Sequence, residues 1–283
     1  MAPRAARRYA GRVTASTEPV VRTSTGPNRA FVLLWAVLRT AMAVAIIAAV
    51  VVTYQGSSGF WAAQGFADLV TLNVNFFSYF TIESNLLATA VLLIGAGLAV
   101  ARRLPDPSWF AVLRACATTY MAITGIVYNL LLRGLPVTGG GDAQPWTNEV
   151  LHVIAPAFLV LDWLLAPGRR RLEWNRVFVV LAFPITWVVY TLVRGPLVYD
   201  QVKAVQSWYP YPFLNPALQQ NGYLGVAFWV LVISVAFAAV ASLVVWVTRL
   251  GGGHSGRADA AASESRIEPG NTDASASVSP HRE

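Results

Sequence analysis

Six long apolar runs constrain this sequence more than any other feature. Each is about as long as the roughly 20 residues that a helix needs to cross a bilayer. The first run is longer than the apolar core of a signal peptide, about 7–15 residues, and therefore predicts a retained transmembrane helix. The runs cover about residues 31–53, 76–100, 109–132, 150–166, 176–193 and 223–248.

Composition supports the same fold class. Hydrophobic residues make up 55% of the 283 positions and charged residues only 12%, against about 25% in soluble domains. A soluble globule of this composition would lack polar surface, and a disordered chain needs the opposite bias. We therefore predict an all-α, polytopic membrane protein, a bundle of six transmembrane helices.

Basic residues predict the orientation of the bundle. Sixteen of the 21 lie before the first run, in the 101–108 and 167–176 loops, or after the last run. The other three loops hold Arg133, Arg194 and Lys203, whereas Arg39 and Arg114 fall inside runs. By the positive-inside rule, both termini are expected in the cytoplasm of a cell membrane. This rule also explains the net charge of +7 without nucleic-acid binding.

Three regions follow along the chain. Residues 1–28 carry several Arg among Ser, Thr and Pro, which predicts a disordered basic cytoplasmic arm. Residues 29–249 form the predicted transmembrane domain. Residues 250–283 are rich in Gly, Ser, Ala and Asp, which predicts a disordered cytoplasmic tail. Arg accounts for all basic residues except Lys203, and with much Ala, Gly and Pro this suggests a GC-rich bacterial genome.

Polar residues gather in the predicted outer half of four spans. Such residues usually face the interior of a helical bundle. The second span places several on one face, and the fourth places His152 near its outer end after Asn148 and Glu149. Tyr128 and Asn129 lie at the outer end of the third. The shared face of the second span contains Ser78, Thr81, Ser84, Asn85 and Ala88.

Each of these residues also has a structural interpretation. The Thr81 hydroxyl could bond the Phe77 carbonyl in its own helix, and His152 could face lipid headgroups. Glu83 is expected to pair with Arg133 or Arg39. Arg39 and Arg114 are expected to extend toward the cytoplasmic headgroups. The aromatic 195–222 loop predicts either an interfacial anchor or a lid over a pocket.

Histidine and cysteine counts exclude common cofactors. His152 is the one histidine within an apolar run, and Cys116 is the one cysteine. A bis-histidine haem or a zinc site inside one chain would need more ligands. We therefore expect no cofactor and no metal.

Thr81 and His152 fall at similar predicted depth on two helices that enter from the same side. A threonine hydroxyl is a weak nucleophile and needs a base within hydrogen-bond reach, a role that neutral His152 could fill. Oxyanion donors could come from Asn85, Asn129 or Tyr128, and Glu149 could orient the imidazole. A membrane-embedded site would admit an acyl chain from the lipid.

Three segments resemble the androgen-induced membrane hydrolases, a family that includes the androgen-dependent regulator of tissue factor pathway inhibitor. They are Tyr79–Asn85, Asn148–Pro156 and Tyr211–Leu214. The resemblance implies Thr81 as nucleophile, His152 as base and fatty-acid esters as substrates. The chain departs from the family at Glu149, where a second histidine is expected, and in a proline that follows His152 one residue early.

Three functional classes stay open from the sequence. The first is a threonine-dependent lipid-ester hydrolase with membrane lipids as partners. The second is a non-catalytic scaffold or regulator, whose basic arm would lie on anionic headgroups. The third is a transporter, although residues 31–132 and 150–248 lack the internal similarity of many transporters. Nothing in the sequence identifies a protein partner.

Overall fold

The computed structural model describes residues 27–135 and 144–250. Over these ranges the chain is helical, and its extended backbone pairs only in an isolated bridge between Asp200 and Val205. The helices are α1 (Arg29–Ala63), α2 (Leu69–Phe77), α3 (Phe80–Val100), α4 (Ser108–Val127), α5 (Pro145–Glu149), α6 (Ala155–Leu165), α7 (Arg176–Arg194) and α8 (Tyr223–Val247). A π-helical turn, Tyr128–Leu132, extends α4, and a second, Val150–Ile154, joins α5 to α6.

Within the described ranges, six helical segments are long and apolar enough to cross a membrane. They are Arg29–Ala63, Phe80–Val100, Ser108–Leu132, Pro145–Leu165, Arg176–Leu197 and Tyr223–Val247. The predicted all-α fold with six apolar helices is therefore confirmed. The predicted arm (1–28) and tail (250–283) lie outside the described residues, except for their innermost positions.

Two predicted boundaries at the start of the chain are wrong. The first span continues as one helix past Thr53 to Ala63, because this stretch contains no proline and Trp61 is buried against α2. The second begins at Phe80 rather than at 76. Asp68 caps α2, and Tyr79 adopts an extended conformation (φ −67°, ψ 126°) that separates α2 from α3.

The fourth apolar segment also starts earlier than predicted, at Pro145. Proline suits the first turn of a helix because its fixed φ fits and its missing N–H is not needed there. Further along, Pro156 cannot donate to the carbonyl of His152, four residues before it. The π turn Val150–Ile154 accommodates this missing bond.

Small residues bring the helices of the core close together. Ala43, Ala88, Ala117 and Ala155, on α1, α3, α4 and α6, are completely buried. At Gly125 on α4, an added Cβ would lie 3.0 Å from the Pro156 side chain. Small side chains of this kind let membrane helices approach closely. The result is a core of α1, α3, α4 and α6, against which α7 and α8 pack through α4.

The bundle has two ends. The terminal end is defined here by the start of α1, the end of α8 and the 101–107 and 166–175 loops. The loop end carries residues 64–79 and 195–222. At the terminal end Arg39 and Arg114 are almost completely buried and pair with Asp162, so the prediction that they extend to headgroups is wrong.

The aromatic 195–222 segment folds back over the loop end. Trp208, Tyr209, Phe213 and Leu214 are buried, whereas Tyr199 is half exposed. Of the two predicted roles, the packing favours a lid over an interfacial anchor, because most of the aromatic side chains contact protein.

Candidate functional site

A cavity of about 140 Å³ lies between α3, α4, α7, α8 and the 211–214 turn. No charged side chain of the described residues lines it. The apolar lining includes Phe80, Ile123, Val127, Leu132, Leu181, Pro184, Ile185, Trp187, Val188, Phe213, Leu214, Val230, Ile233 and Phe237. Four hydroxyl side chains complete the lining, those of Thr81, Thr124, Tyr211 and Ser234. The cavity therefore combines an apolar interior with a few hydroxyl groups.

Thr81 is the second residue of α3, directly at the helix start. Its backbone N–H donates to the Tyr211 hydroxyl oxygen at 3.2 Å, and its own hydroxyl lies 3.3 Å from the same oxygen. Because α3 begins at Phe80, Phe77 belongs to a different helix. The interpretation in which Thr81 bonds the Phe77 carbonyl is therefore wrong, and Tyr211 is the hydroxyl's partner.

The buried face of α3 continues from Thr81 toward the C-terminal end of the helix, as predicted. Ser84 and Asn85 are completely buried, and the Ser84 hydroxyl lies 3.0 Å from that of Thr124 on α4. The Asn85 amide donates to the carbonyls of Thr81 (2.9 Å) and Leu151 (3.2 Å). Asn85 thus ties the start of α3 to the π turn that carries His152. Ser78 is buried as well, but it caps α2 and does not lie on α3.

His152 sits in the middle of the π turn Val150–Ile154, with its Nδ1 3.0 Å from the carbonyl oxygen of Asn148. A carbonyl only accepts hydrogen bonds, so Nδ1 carries the proton. Neutral His152 therefore presents Nε2 as an acceptor, the form that a general base requires. The imidazole stacks on Tyr128, with ring centroids 4.1 Å apart.

Tyr128, Asn129, Glu149 and Arg133 form the surroundings of His152. The Tyr128 hydroxyl accepts a hydrogen bond from the Asn148 amide. Asn129 donates to the Gly125 carbonyl at 2.8 Å and accepts from Arg133, which also pairs with Glu149 at 3.2 Å. Glu149 is thus held by Arg133 near the π turn.

The structure places Thr81 and His152 toward the same end of the bundle, where the Asn85 amide bonds the carbonyls of Thr81 and of Leu151, the residue before His152. Thr81 lines the cavity together with walls from α4 and α7, whereas His152 is not part of the lining. The hydrogen-bond partners of the two side chains are Tyr211 and Asn148. The pairing of Thr81 with His152 stays a prediction.

Glu83 lacks both of its expected partners. Arg133 pairs with Glu149 and Arg39 with Asp162, so the predicted ion pairs of Glu83 are wrong. Its Oε2 atom is buried and has no hydrogen-bond partner within the described part of the chain.

Two important residues escaped the sequence analysis. The sequence indicates Tyr211 only as part of the Tyr211–Leu214 segment, yet this residue contacts the predicted nucleophile directly. Asp162 lies inside an apolar run, where a lone carboxylate demands a cationic partner. Two arginines inside other runs, Arg39 and Arg114, could have indicated that pairing.

Within residues 27–135 and 144–250, no group of three or more His, Cys, Asp and Glu side chains could hold a metal ion. Comparison with known protein families, with curated proteins and with solved structures gave no significant match for this chain. Function must therefore be argued from the cavity and the residues around it.

Proposed function

We propose that this chain is a multi-pass cell-membrane protein that hydrolyses lipid esters, with Thr81 as nucleophile and His152 as base. The observation that carries the proposal is the position of Thr81 in the lining of a mostly apolar cavity. Such a cavity suits an acyl chain, because each buried methylene contributes about 0.8 kcal/mol.

The position of the cavity would also let an acyl chain enter it from the lipid. Of its lining residues, Ile185 on α7 is 56% exposed and Ser234 on α8 is also exposed. Both belong to helices that are long and apolar enough to cross a membrane. An acyl chain could therefore pass between α7 and α8 directly from the bilayer, while its ester group reaches Thr81.

The protonation of His152 supports its role as base. With Nδ1–H held by the Asn148 carbonyl, Nε2 is free to accept a proton from Thr81, directly or through one water. The Thr81 oxygen attacks the ester carbonyl carbon, and the proton then passes from His152 to the leaving alkoxide. Water releases the acid from the acyl-threonine in a second step.

Labelling with a fluorophosphonate probe tests the nucleophile. Wild-type protein in detergent should be labelled at Thr81, and Thr81→Ala should lose the label together with ester hydrolysis. Thr89→Ala is the matched control, because Thr89 is buried on the same helix, bonds its own helix at Asn85 and does not line the cavity. Equal labelling of Thr81→Ala and wild type would contradict the assignment.

His152 needs its own variant. His152→Gln should lose ester hydrolysis. Its labelling by the fluorophosphonate should fall less, because this reactive probe depends less on a base. Full hydrolysis by His152→Gln would exclude it as the base even if Thr81 is the nucleophile.

A second candidate is a non-catalytic lipid-binding regulator. One observation favours it: the Thr81 hydroxyl bonds Tyr211 and the His152 ring bonds the Asn148 carbonyl, so the two side chains do not bond each other. Such a protein would bind acyl lipids in the cavity without turnover, so lipid retained on purified protein with no hydrolysis would support it. A transporter would need a path to the terminal end, where buried ion pairs fill the bundle.

The proposed topology has both termini in the cytoplasm and the lid outside. Reporter fusions after residue 204 and after residue 250 should then report opposite sides of the membrane. The same side for both would contradict a six-span arrangement.

A further inference from the structure

Tyr211 approaches Thr81 from outside its helix. Its hydroxyl oxygen lies 3.2 Å from the Thr81 backbone nitrogen and 3.3 Å from the Thr81 hydroxyl oxygen. Both residues belong to the cavity lining. A substrate carbonyl that reached Thr81 would therefore meet the Tyr211 hydroxyl at the same point.

The phenol ring of Tyr211 is held by other aromatic rings. It stacks on Phe213 with centroids 5.2 Å apart, and it contacts Tyr79 and Trp187 with centroids 6.0 Å away in each case. A donor fixed in this way needs little reorganisation when charge develops next to it.

Two donors converge beside the nucleophile. One is the Thr81 N–H, which lies in the first turn of α3, has no acceptor within the helix and donates to the Tyr211 hydroxyl oxygen at 3.2 Å. The other is the Tyr211 O–H. Burial raises the pKa of Tyr211, so the phenol keeps its proton at neutral pH and can donate it in a hydrogen bond.

Two of the three oxyanion donors predicted from the sequence, Asn85 and Asn129, donate to other groups. The Asn85 amide donates to two carbonyls, and the Asn129 amide donates to the Gly125 carbonyl. Neither these residues nor Tyr128 line the cavity, whereas Tyr211 does. Geometry therefore favours Tyr211 over all three.

We propose that the Tyr211 O–H, together with the Thr81 N–H, binds the carbonyl oxygen of the substrate ester and stabilises its negative charge. This role rests on the proposed hydrolysis. As the bond from Thr81 Oγ to the carbonyl carbon forms, the π electrons of the carbonyl move to its oxygen, and the Thr81 proton goes to the base. Tyr211 keeps its proton and turns its O–H from the Thr81 hydroxyl to this oxygen, while the Thr81 N–H exchanges its acceptor, the Tyr211 oxygen, for the same substrate oxygen.

Tyr211→Phe tests the role while keeping the ring contacts. With a p-nitrophenyl ester of octanoic acid in detergent, kcat should fall about 10²–10³-fold and KM should change little. Tyr209→Phe is the matched control. Tyr209 is buried two residues earlier and packs against Gly195, away from the cavity lining, so its hydroxyl should not matter for kcat.

A second measurement separates catalysis from folding. An alkyl trifluoromethyl ketone forms a tetrahedral, oxyanion-bearing adduct with a nucleophilic hydroxyl, whereas the matching methyl ketone binds without forming one to a comparable extent. Tyr211→Phe should weaken the trifluoromethyl ketone about 100-fold and leave the methyl ketone unchanged. A structural defect would weaken both ligands equally and would contradict the proposal.

The outcomes for the two proposals differ. If wild type hydrolyses the ester, Thr81→Ala does not, and Tyr211→Phe keeps full kcat, then the role of Tyr211 is wrong and the hydrolase stands. If wild type and Tyr211→Phe both lack hydrolysis and fluorophosphonate labelling, the hydrolase falls, and the role of Tyr211 with it.

Discussion

The two ends of the bundle use buried polar groups in opposite ways. At the terminal end, Arg39 and Arg114 both bind Asp162, with nitrogen–oxygen distances of 2.6 and 2.9 Å, and Arg114 also binds Asp106 at 2.9 Å. Opposite charges there pair with one another, although the second oxygen of Asp106 is buried with no hydrogen-bond partner among the described residues. At the loop end the buried groups beside the cavity are neutral hydroxyls.

The ion pairs of the terminal end and the hydroxyls of the loop end differ in how easily their partners can be exchanged. Removing one partner of a buried ion pair leaves an uncompensated buried charge, so the pairs at the terminal end are costly to break. Hydroxyls can exchange one hydrogen-bond partner for another at small cost, so the hydroxyls beside the cavity are not committed to their present partners. In this chain, a buried polar residue within an apolar helix thus indicates a ligand site only where a ligand could replace its hydrogen-bond partner.

Of the changes that test this difference between the two ends, removing Asp162 should cost the most folding free energy. Asp162→Ala leaves two buried guanidinium groups without their shared partner and should cost about 3–5 kcal/mol of folding free energy. Thermal unfolding in detergent and the yield of folded protein measure this loss.

The control for Asp162 is the exposed pair at the loop end. Glu149 and Arg133 are nearly half exposed, so Glu149→Ala should cost about 1 kcal/mol or less. Similar costs for both variants would show that the terminal network is not the stabilising element described here.

Gly95 and Gly97 on α3 test the packing around the same network. A Cβ at Gly95 would lie 3.0 Å from Phe110 and 3.1 Å from Arg39 Nη1, which donates to the Gly95 carbonyl. Gly95→Ala should therefore destabilise the fold by about 1–3 kcal/mol through overpacking.

Gly97 is the matched position, because nothing lies within 4 Å of its added Cβ. Gly97→Ala should stabilise the helix by up to about 1 kcal/mol. Melting temperatures of the two variants should shift in opposite directions, and a shared direction would refute the close contact at Gly95.

Thr124 tests whether hydroxyls at the loop end can be exchanged. Its side chain lies 3.0 Å from the Ser84 hydroxyl, which also bonds the Thr81 carbonyl at 3.1 Å. Since Ser84 keeps that second partner, Thr124→Val should cost only about 1 kcal/mol. A loss as large as that of Asp162→Ala would remove the contrast between the two ends.

The smallest effect concerns Asp68 at the loop end. Hydrogen bonds from Thr71 lower the pKa of this carboxyl, so its contribution to helix α2 is present above an ordinary aspartate pKa. The contribution is lost as the pH falls through the lowered value, when protonation weakens the cap. The protection factor of the Thr71 amide, its intrinsic exchange rate divided by the observed rate at the same pH, should fall over that range in wild type. Asp68→Asn should remove the pH dependence of this protection factor.

Sequence predicts the helices here far better than their partners. Apolar runs locate all six candidate spans, because span length and hydropathy are local properties. The shared buried face of α3 follows from helical periodicity in the same way. Contacts of Arg39 and Glu83 were mispredicted, because a pairing depends on how each helix is rotated about its axis, which one sequence does not specify.

Tyr211 illustrates the same limit at the site. It lies 130 positions after Thr81, and only the path of the 195–222 segment back over the bundle brings the two together. No local pattern encodes that path. Thr81 itself was recognisable, since a hydroxyl near the start of a polar helix face is visible in the sequence.

The π turn at Val150–Ile154 also affects how this chain could tolerate the loss of a single residue. A π turn is equivalent to one residue inserted into an α-helix. Deleting Val153 would restore an uninterrupted α-helical register and rotate the preceding segment by about 100° relative to α6. Asn148 and His152 would then leave the α4 side of the bundle together, although no hydrogen-bonding side chain had been changed.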